Sequence, residues 1–212
     1  HAGKFYIYFT VSLANTQGKK SNYVVYADSP YGPWCAPIDL GIGDIDPCHV
    51  VAPDGQRWLF MCDGLRHKLT ADGLAVVPGS KEKVYDGWLF PDDWITEGLC
   101  LEGPKVRKID DYYYYMNAEG GTAGPPTAHM VVLARSKSLD GPWENCPYNP
   151  IIHTYNAQDH WWNKGHGSLI DTPGIKGFGT FDMEREEVGH YFKEIFYFSK
   201  DCRFNNCTHT HE

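Results

Sequence analysis

The feature that most constrains this chain is an internal repeat. Three strand-like runs, KFYIYFT (4–10), RWLFMCDG (57–64) and YYYYMNAEGG (112–121), follow one another at a period of about 50 residues. In two of the units an aliphatic strand leads into a polar turn closed by Gly-Pro-Trp, at Trp34 and at Trp143. A blade of four short strands buries both faces only when it stacks on neighbours. The period therefore predicts an all-β propeller with roughly four blades in this chain, the first of them incomplete.

The composition agrees with many short strands separated by tight turns. Aromatic residues make up 15% of the 212 residues, beside 22 Gly and 14 Pro, and such a profile is typical of short strands. The formal net charge of -8 argues against a nucleic-acid partner. No apolar run approaches the ~18 residues that a membrane span needs. We therefore expect a single domain over residues 1–212, with neither nucleic acid nor membrane as a partner.

The seven cysteines do not indicate a dense disulfide scaffold, because an odd number cannot all pair within one chain. The C-terminal tail brings Cys202, Cys207, His209 and His211 close together, and these residue types bind metal ions. Their spacing matches no established metal motif, so a frayed terminus is the favoured interpretation.

Two acids occupy matching places in the repeat. Asp46 follows an apolar residue, precedes Pro47 and lies ahead of a predicted strand pair that turns at 53–55. Glu102 follows Leu101, precedes a Gly-Pro pair that predicts a turn, and again lies ahead of a strand pair. The alternative for Asp46 is a turn residue that bonds its own backbone. Two acids in equivalent positions of a repeat are expected to reach the same pocket on the axis of the propeller.

Two carboxyl groups in one pocket suit the cleavage of a glycosidic bond, where one is protonated to assist the leaving oxygen and another stays ionised. We expect Asp46 and a partly dry pocket to raise the pKa of Glu102. Glu97 and Glu119 are its closest rivals, and Glu119 is predicted to lie in a glycine-rich loop beyond its strand. Five aromatic residues offer flat faces for sugar rings but could equally belong to the blade core: Trp88, Phe90, Trp94, Trp161 and Trp162.

Several motifs resemble those of family 43 glycoside hydrolases, five-bladed β-propeller enzymes that act mostly on arabinose- and xylose-containing plant polysaccharides. The motifs are IDP, EGPK, YYYYMNAEGGTAGP, ARSKSLDGPWENCPYNPI and KGHGSLID, at residues 45–47, 102–105, 112–125, 134–151 and 164–171. The resemblance runs from about Gly3 to Asp171 and keeps the family order.

This resemblance implies roles for individual residues. Glu102 would be the general acid, and Asp46 would tune its pKa and orientation. His166 matches a central histidine that often binds an axial calcium ion or a water, and waters would complete such a site because calcium prefers oxygen ligands. Without the resemblance, a packed core residue is the usual role of a lone histidine. The expected substrate contacts are Trp88, Phe90, Glu119 and Trp162.

The chain departs from the family pattern at both ends. The family's general base is an Asp of the first blade, which we expect upstream of KFYIYFT, so the chain would comprise roughly blades two to five without the base. Residues 172–212 diverge and lack a clear counterpart of the fifth blade and its substrate-binding Arg; Arg185 is not a safe substitute. We expect a secreted or periplasmic protein whose signal peptide, if it has one, lies upstream of His1.

The sequence therefore predicts an inverting glycosidase, or a fragment of one, that removes terminal xylosyl or arabinofuranosyl residues from plant cell-wall polysaccharides. With the base missing, the isolated chain is expected to have very low activity. A non-catalytic sugar-binding propeller, with Asp46 and Glu102 binding hydroxyls, is the alternative from another class. A related fructoside-cleaving family is disfavoured, because its acid motif has Cys where this chain has Gly103.

Overall fold

A computed structural model describes residues 3–12 and 18–168 of the chain. The chain falls into two compact units, His1–Leu169 and Ile170–Glu212, and every described residue belongs to the first unit. The divergent segment 172–212, including the Cys/His tail, lies outside the described residues.

The described residues form eleven strands. In chain order these are β1 (Phe5–Ser12), β2 (Lys20–Ala27), β3 (Ile38–Asp39), β4 (Cys48–Val51), β5 (Arg57–Phe60), β6 (Leu65–Leu69), β7 (Glu82–Lys83), β8 (Gly98–Ile109), β9 (Tyr112–Gly120), β10 (Met130–Ser136) and β11 (Glu144–Asn145). A short 3-10 turn at Cys62–Gly64 joins β5 to β6.

The strands form three separate antiparallel sheets that follow the predicted repeat. The first sheet has the order β1-β2-β3, the second β4-β5-β6-β7, and the third β11-β10-β9-β8. Each sheet uses consecutive strands joined by local connections, as propeller blades do. The prediction of an all-β, incomplete propeller is confirmed, with a three-stranded sheet followed by two four-stranded ones. No helix among the described residues is long and apolar enough to cross a membrane.

The predicted turns lie where the sequence puts them. Between β4 and β5, the amide of Gly55 donates to the carbonyl of Ala52 at 2.9 Å and closes the turn at 53–55. Both Gly-Pro-Trp segments turn at a glycine with positive φ, +83° at Gly32 and +81° at Gly141, a conformation that favours glycine. Both glycines turn the chain beyond the strand that precedes them, β2 or β10.

The apolar core lies between neighbouring sheets. Leu59 and Phe60 are consecutive in β5 and therefore point to opposite faces of the second sheet, and both are fully buried. Leu59 packs in a cluster with Val24 of the first sheet. Phe60 packs edge to face on Tyr115 of the third sheet, with ring centroids 5.4 Å apart. The second sheet is thus covered on both sides, as stacking of blades requires.

Arg66 of β6 ties the second sheet to the third. Its guanidinium donates to Glu82 at 2.8 Å and to the carbonyl of Leu139 at 2.9 Å, and it also pairs with Asp140. The same group lies over the ring of Trp58, 3.8 Å from the ring centroid. The side chain is only 3% exposed, so this cation is held by its partners and not by water.

Replacing this cation should destabilise the protein. We expect Arg66→Met to lower the free energy of unfolding by about 2–3 kcal/mol, because charged hydrogen bonds across the sheets are lost while the two acids stay partly solvated. Arg135→Met is the matched control: Arg135 is 45% exposed and pairs with exposed Glu144, and such pairs contribute about 0–1 kcal/mol. Urea unfolding of both variants measures the difference, and equal effects would contradict the inter-sheet role.

Candidate active site

Glu102 lies inside β8, at a place where the strand is bulged. Glu102 pairs with Ala118 of β9, and the register shifts on both sides of it, between Gly98 and Glu102 and between Glu102 and Lys105. Cys100 and Gly103 have positive φ values of +44° and +55° at these two irregularities. Bulges commonly re-aim a side chain. The sequence-based prediction of a turn at Gly103-Pro104 is wrong, because β8 continues through it to Ile109.

Asp46 contacts this bulge from the loop before β4. The amide of Gly103 donates to Oδ2 of Asp46 at 3.0 Å, although the two residues belong to consecutive blades. Asp46 itself has φ +61°, so the extended backbone expected before Pro47 is not formed. The residue is aimed by its left-handed backbone and by this hydrogen bond, which fixes the peptide directly after Glu102.

His166 lies close to both of these acids. Its Nε2 lies 3.3 Å from Oε2 of Glu102 and 3.9 Å from Oδ2 of Asp46. The ring packs directly on Gly103, where a Cβ atom would lie 2.7 Å from Nδ1 of His166. Only glycine therefore fits at this position, both for its positive φ and for the approach of the ring.

His129 is a fourth member of the site, which sequence reasoning missed. It directly precedes β10, is 2% exposed, and its Nε2 lies 3.9 Å from Oε2 of Glu102. Burial, and then the neighbouring His166, hold its pKa below the usual value for histidine. Its ring packs on Gly165, next to His166 in the KGHG motif. No motif around His129 marks it, so only the fold reveals it.

The site therefore presents two half-buried carboxylates beside two imidazoles. The side chains of Glu102 and Asp46 are 28% and 26% exposed, so a ligand can reach them while most of each carboxylate is shielded. A carboxyl group held in this way is suited to donate or accept a proton at a fixed position.

Comparison with known proteins accounts for this arrangement. The sequence profile described as "Glycosyl hydrolases family 43" matches residues 1–192. The chain belongs to glycosyl hydrolase family 43. Its backbone is similar to the crystal structure of the family 43 protein BlXynB from Bacillus licheniformis, with a TM-score of 0.69, 30% identity, and coverage of 82% of this chain and 33% of that one.

Two curated relatives carry activity names. A xylan 1,3-beta-xylosidase from a Vibrio species is 37% identical over 164 residues, which is 71% of this chain and 28% of that protein. The non-reducing end alpha-L-arabinofuranosidase BoGH43B from Bacteroides ovatus is 34% identical over 181 residues, 80% of this chain and 30% of that protein. The chain thus spans less than a third of the length of these glycosidases.

A different resemblance involves GTPases. The small ribosomal subunit biogenesis GTPase RsgA from Phocaeicola vulgatus is 60% identical over 65 residues, which is 31% of this chain and 21% of that protein. A match to about a fifth of the GTPase indicates a shared segment and not a shared whole protein.

The side chains of this site do not supply enough oxygen ligands to bind the predicted calcium ion directly. One donor atom each from Glu102, His129 and His166 lies within 4.8 Å of the other two. Calcium takes six to eight oxygen ligands, and this set offers two imidazole nitrogens and a single carboxylate. Calcium held through water molecules beside His166 therefore remains a prediction.

The predicted aromatic substrate contacts lie on the segment before β8 and on the one after β11. Trp88 packs edge to face on Trp94, with ring centroids 6.1 Å apart, and Phe90 is half-buried nearby in sequence. Trp162 is 56% exposed. The roles of these three residues as sugar contacts stay predictions. The packing described for Trp88 is on another side chain of the protein.

Glu119 does not lie in the predicted loop, and its contact with a substrate stays a prediction. It lies inside β9 and not in a loop, opposite Met130 of β10, and it has no exposed surface. Its Oε1 accepts a hydrogen bond from the amide of Trp88 at 2.7 Å. Glu97, the other rival of Glu102, accepts from the amide of Ala123. Glu119 therefore supports the segment that carries Trp88 from within the protein.

Burial gives Glu119 a measurable pH signature. Desolvation raises its pKa from 4.5 to about 7, against the lowering effect of the Trp88 amide. Because the folded-state pKa is raised, the protonated side chain stabilises the fold most below pH 4.5, and this contribution is lost as the pH rises to about 7.

We expect Glu119→Gln to cancel that loss. The variant should gain stability relative to the wild type between pH 4.5 and 7, by up to about 3 kcal/mol, because the amide cannot ionise. Urea unfolding of both proteins at intervals across this range measures the difference. A difference that stays constant with pH would show that Glu119 ionises as readily in the folded state as in the unfolded one.

Proposed function

We propose that this chain is part of a glycosidase that removes terminal xylosyl or arabinofuranosyl residues from oligo- or polysaccharides. Membership of family 43 supports the reaction class. The xylosidase and arabinofuranosidase named above support the two sugar types. The chain spans less than a third of the length of each relative, so the activity of the whole protein is a proposal.

Glu102 is the general acid of the proposed reaction. The observation that carries this assignment is the hydrogen bond from the amide of Gly103 to Asp46, because it fixes the bulge on which the Glu102 carboxyl is mounted. Glu102 is also the accessible candidate, since Glu119 has no exposed surface. In the reaction its proton passes to the glycosidic oxygen as the bond between that oxygen and the anomeric carbon breaks, so the aglycone leaves as a neutral alcohol.

Asp46 and His166 position this acid. Asp46 orients the peptide that follows Glu102, and Nε2 of His166 lies 3.3 Å from the reacting carboxyl oxygen. An acid that is held in place before the substrate binds loses less conformational freedom on the way to the transition state. The two residues therefore act through Glu102 and not on the sugar.

The proposed mechanism is inverting and needs a third carboxylate as general base. That base activates a water on the face of the sugar opposite Glu102. We continue to predict that it is the Asp of an upstream blade. A secreted or periplasmic location fits a polysaccharide substrate and belongs to the same proposal.

The assignment of the acid is tested by substitution in a protein that includes the predicted upstream blade. Glu102→Gln should lower kcat on natural xylosides and arabinofuranosides by about 10²–10⁴-fold, because the amide cannot protonate the leaving oxygen. Aryl substrates with acidic leaving groups should lose less. Glu97→Gln is the matched control and should keep most activity, since Glu97 bonds the Ala123 amide elsewhere.

The outcome separates an enzyme from a sugar-binding propeller. Retained hydrolysis by Glu102→Gln would overturn the assignment of the acid. Binding of xylo-oligosaccharides by the wild type without any hydrolysis, measured by calorimetry, would favour the non-catalytic alternative.

We infer that residues 172–212, which follow the family 43 motifs, take no part in the glycosidase function. The family 43 motifs stop at Asp171, and the compact unit that holds Glu102 ends at Leu169. The inference predicts that removing residues 172–212 leaves the affinity for xylo-oligosaccharides unchanged. A loss of binding, with the remaining residues still folded by circular dichroism, would contradict it.

A further inference from the structure

The second histidine of the site has one ring nitrogen without a hydrogen-bond partner in the described part of the chain. Nε2 of His129 is buried and makes no hydrogen bond, and it lies 3.9 Å from Oε2 of Glu102, beyond hydrogen-bonding distance. An unsatisfied buried nitrogen is costly, and native proteins rarely keep one without a reason. A ligand held between the imidazole and the carboxylate would satisfy it.

The spacing of the donor atoms suits a small tetrahedral ion. Zinc binds histidine and carboxylate at about 2.0–2.2 Å, so two ligand atoms of a tetrahedral site lie about 3.3–3.5 Å apart. Nε2 of His166 lies 3.3 Å from Oε2 of Glu102, and Nε2 of His129 lies 3.9 Å from it. The donor atoms of all three residues lie within 4.8 Å of one another, so side-chain movements of about an ångström bring them to one ion.

The two rings are held in place before any ion arrives. A Cβ atom at Gly165 would lie 2.2 Å from the ring of His129, and one at Gly103 would lie 2.7 Å from the ring of His166. Each imidazole thus packs directly on glycine backbone. Since Glu102 and His166 stay partly exposed, an ion has a route in and a fourth position open to water.

We propose that Glu102, His129 and His166 bind Zn²⁺ or a similar borderline transition-metal ion, and that this ion inhibits the enzyme. Two nitrogens and one oxygen with an open position form a donor set typical of zinc and unlike that of calcium. The inhibitory part rests on the proposed function of Glu102. A carboxylate bound to the metal cannot also carry the proton that the leaving oxygen needs, so binding displaces that proton to solvent.

Binding is tested directly on the full chain. Because the tail could also bind metal, Cys202→Ser and Cys207→Ser are introduced together as the background. Zn²⁺ affinity is then measured by competition with a chromophoric chelator, and Co²⁺ serves as the spectroscopic probe. We expect one site per chain, with Co²⁺ bands typical of tetrahedral coordination and without thiolate charge transfer.

Single substitutions in this background decide which residues hold the ion. His129→Gln and His166→Asn should each weaken Zn²⁺ binding at least tenfold, about 1.4 kcal/mol. His49→Gln is the matched control, since Nε2 of His49 is also buried without a partner but lies outside the cluster. It should leave the affinity unchanged. Unchanged affinity in His166→Asn overturns the proposal, even if His129→Gln fails to fold.

The inhibitory part is measured separately, in a protein with glycosidase activity. Zn²⁺ should inhibit hydrolysis and a chelator should restore it, and His129→Gln should raise the inhibition constant at least tenfold. Zinc binding at this cluster in a protein without hydrolytic activity would refute the proposed function and leave the site intact. Hydrolysis that depends on Glu102 but is insensitive to zinc would refute the inhibition and leave the function intact.

Discussion

Packing of one sheet against the next is the interaction on which this structure depends. A sheet whose two faces are both apolar is stable only between two neighbours, and β5 shows this most clearly with Leu59 on one face and Phe60 on the other. Arg66 adds a polar tie across the same boundary that holds Phe60 and Tyr115. The sheets therefore fix one another, and no site between them can form before they stack.

The candidate active site is a product of this stacking. Asp46 precedes the second sheet and Glu102 lies on the third, and they are joined through the amide of Gly103. Two local irregularities, the left-handed backbone of Asp46 and the bulges of β8, aim both carboxylates at the same point. The acid of the proposed reaction is thus supported by the inter-blade boundary and not by its own strand alone.

Environment gives the glutamates of this region different roles. Glu119 lies at the end of the pairing between β9 and β10 and has no exposed surface, and burial raises its pKa to about 7. The carboxylate of Glu102 is packed against protein on one side and is partly exposed to solvent on the other. The same residue type is therefore a support for the Trp88 segment in one place and a candidate proton donor in the other. The imidazoles around Glu102 add a second property, a donor set suited to zinc.

The sequence by itself determined the blade repeat, the turns at 53–55 and at the Gly-Pro-Trp segments, and the pair Asp46 and Glu102. These depend on local patterns: strand periodicity, glycine with positive φ, and equivalent positions in a repeat. The sequence suggested a turn after Glu102 and a loop at Glu119, because Gly and Pro are common in both, and the fold uses them in a bulge and a strand instead.

Only the tertiary structure decided which distant residues meet. His129, the ring of His166 on Gly103, and the inter-sheet contacts of Arg66 join residues that are far apart in the chain, so no local pattern reports them. Burial likewise emerges only when the sheets stack, which is why Glu119 and Glu102 look alike in sequence and differ in the folded protein. The chemistry of the site follows from that difference in exposure, because exposure decides which carboxyl a sugar can reach.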